Sequence, residues 1–222
     1  MTRKELAAMI DHTQLKPFAT PDMIAQACRD AAEAGCAALA INGCNVAQCV
    51  KLLAGTGVKV CAGAGFPLGA ATTAVKVFEA SEAVKNGAEE LDMLINIGAL
   101  KAKNTDYVRD EIKAIIKEAK GRIVKVIIET CYLTDEEKVT ACKLAAEAGA
   151  DFVKTSTGLG TGGATPHDVA LIRASLPPRM KVKASGGMHS WPEVKANIEA
   201  GADRIGISAT VKVLDEFDAA NS

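Results

Sequence analysis

Two lysines stand where an apolar, strand-like segment meets a turn of small residues. Lys154 ends the segment Ala150–Lys154, Lys183 ends the segment Met180–Lys183, and glycine-containing turns follow both. A lysine in such a position is poorly solvated, and two ammonium groups that converge disfavour each other's charge. An uncharged lysine amine is a nucleophile toward carbonyl carbon. The pair therefore indicates carbonyl chemistry if the two strands share a site, although these residues alone do not show which lysine would react.

The composition excludes several other classes of function. The chain has 222 residues, of which 49% are hydrophobic but only 4% are aromatic, so its core must be aliphatic. Lys and Arg (26) nearly balance Asp and Glu (27) and form no basic stripe, which argues against nucleic acid or an anionic membrane as a partner. Residues Met1–Leu6 lack the apolar stretch typical of a signal peptide, and no uncharged apolar run reaches the roughly 18 residues of a membrane span.

The cysteines and histidines do not have the spacing of a metal site. The seven cysteines are odd in number and form no CxxC pair, so we interpret them as reduced, mostly buried side chains of a cytoplasmic protein. For Cys131, packing is favoured over a reactive thiol. His12, His167 and His189 form no ligand motif, and no metal or cofactor is predicted. A structural hydrogen bond is expected between His12 and Asp11.

A short glycine-containing phrase recurs along the chain. Each copy ends a helical pattern on a glycine and is followed within a few residues by a strand-like run: Ala32–Ala37, Val84–Glu89, Glu147–Asp151 and Glu199–Asp203. Glycine just past a helix end supplies the left-handed conformation of a tight turn. The repeated phrase therefore predicts repeated strand–helix units.

Between these phrases the patterns predict eight strands and eight helices. The predicted strands are Ala8–Asp11, Ala37–Asn42, Val58–Ala62, Glu90–Ile95, Ile123–Glu129, Phe152–Thr155, Met180–Ala184 and Arg204–Ile207. The predicted helices are Thr20–Ala34, Val46–Leu53, Thr73–Lys85, Asp106–Ala119, Asp135–Ala148, Pro166–Ala174, Pro192–Ala200 and Val211–Phe217. Strict alternation predicts an α/β fold, a TIM (β/α)₈ barrel formed by residues 1–222 as a single domain. An open doubly wound sheet is the alternative, disfavoured because no GxGxxG motif follows the first strand.

In such a barrel the active site lies at the carboxyl ends of the strands. Asp92 on the fourth strand and Lys154 on the sixth are expected to point into the same space, beside Lys183 on the seventh. A carboxylate beside two lysines keeps one ammonium charged and can transfer protons. A structural salt bridge that fills the barrel is the alternative, but the extra lysine favours chemistry. Other polar candidates at strand ends are Asp11, Thr13, Asn42, Asn96, Lys125, Glu129 and Ser208.

Glycine-rich turns follow the last three predicted strands. They are Gly158–Gly163, Ser185–Gly187 and Gly206–Ser208. Exposed backbone N–H groups after the seventh and eighth strands of a TIM barrel commonly bind phosphate. We therefore predict a phosphate site there, and in the first of these turns we include Gly158 alone.

Six segments together resemble the deoxyribose-phosphate aldolases. They are Ile10–Thr13, Gly65–Gly69, Glu90–Asn96, Lys125–Thr130, Phe152–Gly158 and Lys183–Gly187. The resemblance extends from about Ile10 to Leu214. It implies a class I, metal-independent aldolase on a TIM barrel that reversibly cleaves 2-deoxy-D-ribose 5-phosphate to D-glyceraldehyde 3-phosphate and acetaldehyde.

The resemblance also implies roles for individual residues. Lys154 would form the Schiff base, Lys183 would lower the pKa of Lys154, and Asp92 would take part in a proton relay. Lys125 and Asp11 would support the site. The substrate and phosphate residues would be Gly158, Gly186, Gly187, Gly206 and Ser208. The expected partners are sugar-phosphate and aldehyde substrates and further copies of the chain in a homo-oligomer, a dimer or a tetramer.

The chain departs from the family pattern at the phosphate end. His189 stands where the family usually has arginine, and Ser208-Ala209 stands where it usually has two serines. Two other functions stay open on the residues: a transaldolase-like or other Schiff-base lyase of sugar phosphates, and a barrel that only binds a phosphorylated metabolite.

Overall fold

Eight parallel strands close into a barrel in the order of the chain. The structure is a computed structural model that describes residues 1–221. Its strands are β1 Ile10–Gln14, β2 Ala38–Ile41, β3 Lys59–Ala64, β4 Glu90–Leu94, β5 Ile123–Ile127, β6 Phe152–Lys154, β7 Lys181–Ser185 and β8 Arg204–Ile207. Each strand pairs with its neighbour in sequence, and β8 pairs with β1. The predicted TIM barrel is confirmed and the open sheet is wrong.

Ten α-helices surround or cap the barrel over residues 1–221. They are α1 Arg3–Ala7, α2 Pro21–Ala34, α3 Val46–Leu52, α4 Thr73–Lys85, α5 Ile97–Lys101, α6 Thr105–Ala119, α7 Asp135–Ala148, α8 Pro166–Ser175, α9 Trp191–Glu199 and α10 Thr210–Asn221. The eight predicted helices are present, and α1 and α5 were not predicted because five residues are too few for a periodic pattern. No helix within residues 1–221 is long and apolar enough to cross a membrane.

The recurring glycines do end helices or open the turns that follow them. Gly35 and Gly149 are the left-handed C-caps of α2 and α7. Gly87 and Gly201 have φ values of 100° and 111°, which L side chains rarely adopt. At the other end of α7, Thr134 forms the capping box that the sequence predicts.

Most strand boundaries differ from the prediction by one to three residues, and at two of them the backbone turns. Strand β1 begins at Ile10 and not at Ala8, since residues 8 and 9 form the turn after α1. Strand β5 ends at Ile127, since Glu129 has a φ of 52° and cannot continue an extended strand. Strand β3 extends two residues further than predicted, to Ala64.

The alternation of each strand separates an apolar outer face from a charged interior. Residues such as Leu91, Met93 and Val126 are fully buried in the main apolar core. Their neighbours in the chain, including Asp92 and Lys125, are also buried but form ion pairs with one another. The barrel interior is therefore polar, unlike the usual branched aliphatic filling.

Candidate active site

Lys154, Lys183 and Asp92 meet inside the barrel. Lys154 and Lys183 are direct partners in the register of β6 and β7, so both side chains point to the same face. Asp92 Oδ2 accepts hydrogen bonds from Lys154 Nζ at 2.7 Å and from Lys183 Nζ at 2.8 Å. All three side chains are buried. The predicted convergence is confirmed.

The second oxygen of Asp92 is held by two further groups. Asp92 Oδ1 accepts from Lys125 Nζ at 2.9 Å and from the Cys61 thiol at 3.1 Å. Burial alone would raise the pKa of Asp92, but the ammonium groups, that of Lys125 foremost, hold it well below its usual range. Asp92 is therefore a carboxylate. Burial raises the pKa of Cys61 to about 12, so this thiol stays protonated. It therefore serves as a hydrogen-bond donor to Asp92 as well as a packed side chain.

The two lysines differ in pKa because only Lys183 has a second carboxylate beside it. Lys183 Nζ also donates to Asp11 Oδ2 at 2.5 Å. Burial lowers the pKa of Lys183, but attraction to Asp11 and Asp92 outweighs burial and raises it above the ordinary value. Burial also lowers the pKa of Lys154, and repulsion by Lys183 adds to this effect, so the net shift is downward despite Asp92. Lys154 therefore loses its proton more readily than Lys183.

The expected hydrogen bond between Asp11 and His12 is wrong. Adjacent strand residues point to opposite faces, so Asp11 lies inside the barrel and His12 outside. Asp11 Oδ1 accepts from Arg204 Nη1 at 2.6 Å, whereas His12 Nδ1 hydrogen-bonds Thr210 Oγ1 at 2.8 Å. Asp11 supports the site through Lys183 and not through a histidine.

A large cavity opens at the carboxyl ends of the strands. Its volume is about 550 Å³. All the residues predicted to bind substrate or phosphate line it: Gly158, Gly186, Gly187, Gly206 and Ser208. The structure thus brings these five residues together, and their backbone N–H groups provide the donor chemistry that a phosphate needs.

The glycines of this cavity allow two loops to approach closely. Gly158 and Gly186 have φ values of 84° and 83°, and a Cβ on Gly186 would lie 2.9 Å from the Gly158 Cα. Gly206 belongs to β8, within the predicted strand Arg204–Ile207. A Cβ on Gly206 would lie 2.7 Å from Ser185 Oγ and 3.1 Å from Lys183 Cε, so glycine is needed there to admit the lysine.

A second, small cavity adjoins Lys154 and Asp92. Its volume is about 10 Å³, close to the space of one water molecule. Apolar side chains line most of it, including Leu15, Ala40 and Phe66. Leu15 also lines the large cavity, so the two spaces lie side by side.

Some residues at the mouth were not singled out from the sequence. Lys16 lines the large cavity and is exposed, and no periodic pattern would have identified it. His189, which stands where the family usually has arginine, is exposed and lines the same cavity. Glu129, a strand-end candidate, accepts a hydrogen bond from the Thr157 N–H at 3.1 Å and so holds the loop after β6.

Cys131 is exposed, so the prediction that it packs inside is wrong. Five of the seven cysteines are buried, which confirms that most of them are buried side chains.

Within residues 1–221, two groups of side chains have the composition of a metal site, but lysine ammonium groups occupy both. Asp11, Cys61 and Asp92 form one group, and their oxygens bind Lys125 and Lys183. The other group lies near the protein surface at Asp135, His167 and Asp168. There the Lys138 ammonium donates to the Asp168 carboxylate at 2.6 Å and to the Asp135 carboxylate at 2.9 Å.

The fold and the buried lysines define a TIM-barrel protein with an interior lysine–carboxylate site. The chain belongs to the DeoC/LacD family of aldolases, whose model matches residues 6–212. It is therefore an aldolase, a carbon–carbon lyase.

Individual relatives match over nearly the whole chain. The deoxyribose-phosphate aldolase of Clostridium kluyveri is 53% identical, over 97% of this chain and 100% of the relative. The deoxyribose-phosphate aldolase of Caldanaerobacter subterraneus subsp. tengcongensis is 54% identical, over 96% of this chain and 93% of the relative. The solved structure of the deoxyribose phosphate aldolase from Aeropyrum pernix, described as a unique tetramer, superposes with a TM-score of 0.92 at 36% identity, over 99% of this chain and 93% of that one.

Proposed function

We propose that this chain is a deoxyribose-phosphate aldolase that reversibly cleaves 2-deoxy-D-ribose 5-phosphate to D-glyceraldehyde 3-phosphate and acetaldehyde through a Schiff base. The observation that carries the proposal is the unequal lysine pair. Lys154 has a lowered pKa and contacts the Asp92 carboxylate, while Lys183 beside it is charged. The identity of 53–54% to named deoxyribose-phosphate aldolases supports the choice of substrate over a transaldolase-like reaction.

The reaction begins when the Lys154 amine attacks C1 of the open-chain sugar. Loss of water gives an iminium, which accepts the electron pair of the C2–C3 bond as that bond breaks. A base removes the proton of the C3 hydroxyl, and D-glyceraldehyde 3-phosphate leaves. The remaining enamine is protonated at C2, and hydrolysis releases acetaldehyde and the free amine.

Asp92 and Lys183 are placed to handle the protons. Asp92 is ionised and lies 2.7 Å from the Lys154 nitrogen, so it can accept a proton directly or through a water in the small cavity. Lys183 donates to the same carboxylate oxygen and can return a proton to it. Lys125 and Asp11 hold these two groups in place through their ion pairs.

The two cavities suit different parts of the proposed reaction. The small apolar space beside Lys154 has about the volume of one water molecule, so it fits the water of the proton transfer and not the two-carbon fragment that becomes acetaldehyde. The large glycine-lined cavity would hold the phosphate, on the backbone N–H groups near Gly186 and Gly187. Lys16 supplies a cation at this mouth, where His189 replaces the usual arginine of the family.

The proposed setting is a homo-oligomer in the cytoplasm, a dimer or a tetramer. The seven free cysteines support a reducing compartment. The exposed apolar side chains of Leu68, Val75 and Phe78 support association, since Val75 and Phe78 share one face of α4. The tetrameric relative from Aeropyrum pernix is consistent with this assembly.

Product analysis combined with borohydride trapping tests the proposed reaction. The purified protein should release acetaldehyde and D-glyceraldehyde 3-phosphate from 2-deoxy-D-ribose 5-phosphate, and unphosphorylated deoxyribose serves as the comparison substrate. With acetaldehyde and borohydride, peptide mass analysis should find an ethyl group on Lys154. An adduct without cleavage of this substrate would point to another Schiff-base lyase. If neither an adduct nor cleavage is found, the interpretation that remains is a protein that only binds a phosphorylated metabolite.

Chelation should not change the activity. We expect prolonged treatment with EDTA to leave kcat and KM unaltered, because lysine ammonium groups occupy the interior oxygens that a metal would need. The measurement is the cleavage rate before and after treatment, with and without added Zn²⁺. Activity that is lost with EDTA and restored by Zn²⁺ would contradict the Schiff-base mechanism.

A further inference from the structure

A second layer of charged groups lies one step below Lys154 in the barrel. Glu90 on β4 is fully buried, and the Arg204 side chain on β8 is 14% exposed. Glu90 Oε2 lies 2.6 Å from Lys125 Nζ and 3.5 Å from Arg204 Nη1. Among the described residues, Lys154 forms an ion pair with Asp92 only, so it has no ion pair with Glu90.

The interior groups balance in charge only if Lys154 is neutral. Three carboxylates face the interior, and three cations pair with them: Asp11, Glu90 and Asp92, with Lys125, Lys183 and Arg204. A proton on Lys154 would leave one uncompensated positive charge in a buried site, which is costly. The thiol of Cys61 adds no charge, since burial raises its pKa to about 12.

One more cation approaches this layer from solvent. Lys59 Nζ lies 3.9 Å from Glu90 Oε1, but its side chain is 44% exposed. Water screens such a charge, so its effect on Lys154 is expected to be small. His12 points to the outer face and bonds Thr210, so it does not enter the balance. The charge balance of the buried groups in the lower layer therefore requires the positive charge of Arg204 and not that of Lys59.

We propose that Arg204 is a positioning residue for the aldolase reaction. Its positive charge compensates the negative charges of Asp11 and Glu90 below the site. No unpaired negative charge is then left in the interior to hold a proton on Lys154. The inference rests on the proposed Schiff-base function. It assigns a role to a residue that forms ion pairs with Asp11 and Glu90 and none with Asp92, the partner of Lys154.

The direction of the effect follows from the sign of the charge removed. Arg204→Met leaves the interior one positive charge short, so Lys154 takes up a proton more readily. In the pH profile of kcat/KM, the rate falls on the acidic side because Lys154 must lose its proton to react, and this acidic limb should move to higher pH. Glu90→Gln removes a negative charge instead, and the limb should move to lower pH. The double variant restores the balance, and the limb should return toward the wild-type position.

The experiment is the pH profile of kcat/KM for the four proteins, with borohydride trapping of acetaldehyde on Lys154 followed over the same pH range. A shift of about one pH unit for Arg204→Met corresponds to about a tenfold loss of rate on the acidic limb. Lys59→Met is the matched control, since it removes the exposed cation beside the same carboxylate, and its limb should not move. Thermal unfolding followed by circular dichroism shows which variants fold.

Each result supports the inference or overturns it. Opposite shifts in the two single variants, cancelled in the double variant, support it. Equal losses at every pH with an unmoved limb would show that Arg204 is only structural. If Arg204→Met does not fold, Glu90→Gln decides alone: an unmoved limb would refute the charge balance. If the wild type does not cleave deoxyribose 5-phosphate but still traps acetaldehyde, the proposed substrate fails while the trapping profiles still test Arg204.

Discussion

Lys154→Arg is expected to reduce turnover by several orders of magnitude while the barrel remains folded. Arginine keeps a positive charge and a long side chain, but its guanidinium does not lose its proton and cannot form an iminium. Asp92, 2.7 Å from the Lys154 nitrogen, can still accept a hydrogen bond from the new group. The loss should therefore fall on kcat and on borohydride trapping, not on folding.

Cleavage rate, trapping with acetaldehyde and thermal unfolding should be measured on the same preparation. The matched control is Lys181→Arg, because Lys181 also lies on the barrel but its side chain is exposed. This control should retain wild-type activity. If Lys154→Arg kept substantial activity and Lys183→Arg did not, the two roles would be reversed.

The architecture could be read from the sequence because its signals are local. A glycine past a helix end, as at Gly35 or Gly149, marks the step from helix to strand wherever it occurs. Eight alternations then leave little choice of topology. The short helix α5 and the early end of β5 could not be predicted, since they depend on tertiary contacts and on the left-handed conformation of Glu129.

The site could be predicted only in part, because its charge distribution is not local. In sequence, Lys154 and Lys183 look alike, since each ends an apolar segment before a glycine turn. They differ in the structure because closure of the barrel through β8 and β1 brings Asp11 to Lys183 and not to Lys154. Arg204 stands at the start of its strand and gives no hint in sequence that it turns inward.

The chemical partners of Asp92 show the same limit. Strand alternation predicts that Asp92 points inward, and this is confirmed. It does not predict that Cys61 donates to the same carboxylate, because an isolated cysteine in an apolar run is typical of packing. The register of β3 and β4 pairs Cys61 with Glu90, and the thiol reaches the carboxylate of Asp92, two residues further along β4 on the same face.

Lys183→Leu is expected to lower the rate and to move the acidic limb of kcat/KM to higher pH. Lys183 shares one oxygen of Asp92 with Lys154, at 2.8 Å and 2.7 Å. Its charge repels a proton on Lys154 and also occupies the carboxylate that would otherwise attract one. Without it, Lys154 keeps its proton to higher pH, so more of the enzyme lacks a free amine at a given pH. A shift of one unit corresponds to about 1.4 kcal/mol of lost repulsion.

The measurement is rate against pH for the wild type, Lys183→Leu and Lys183→Arg, with Schiff-base formation followed separately to isolate the nucleophilic step. Lys183→Arg is the matched control, because it keeps the positive charge between Asp11 and Asp92 and should leave the limb in place. Leucine also removes a group that can return a proton to Asp92, so the plateau rate at high pH should fall as well. An unmoved acidic limb with a large fall in that plateau would mean that Lys183 acts in proton transfer and does not tune Lys154.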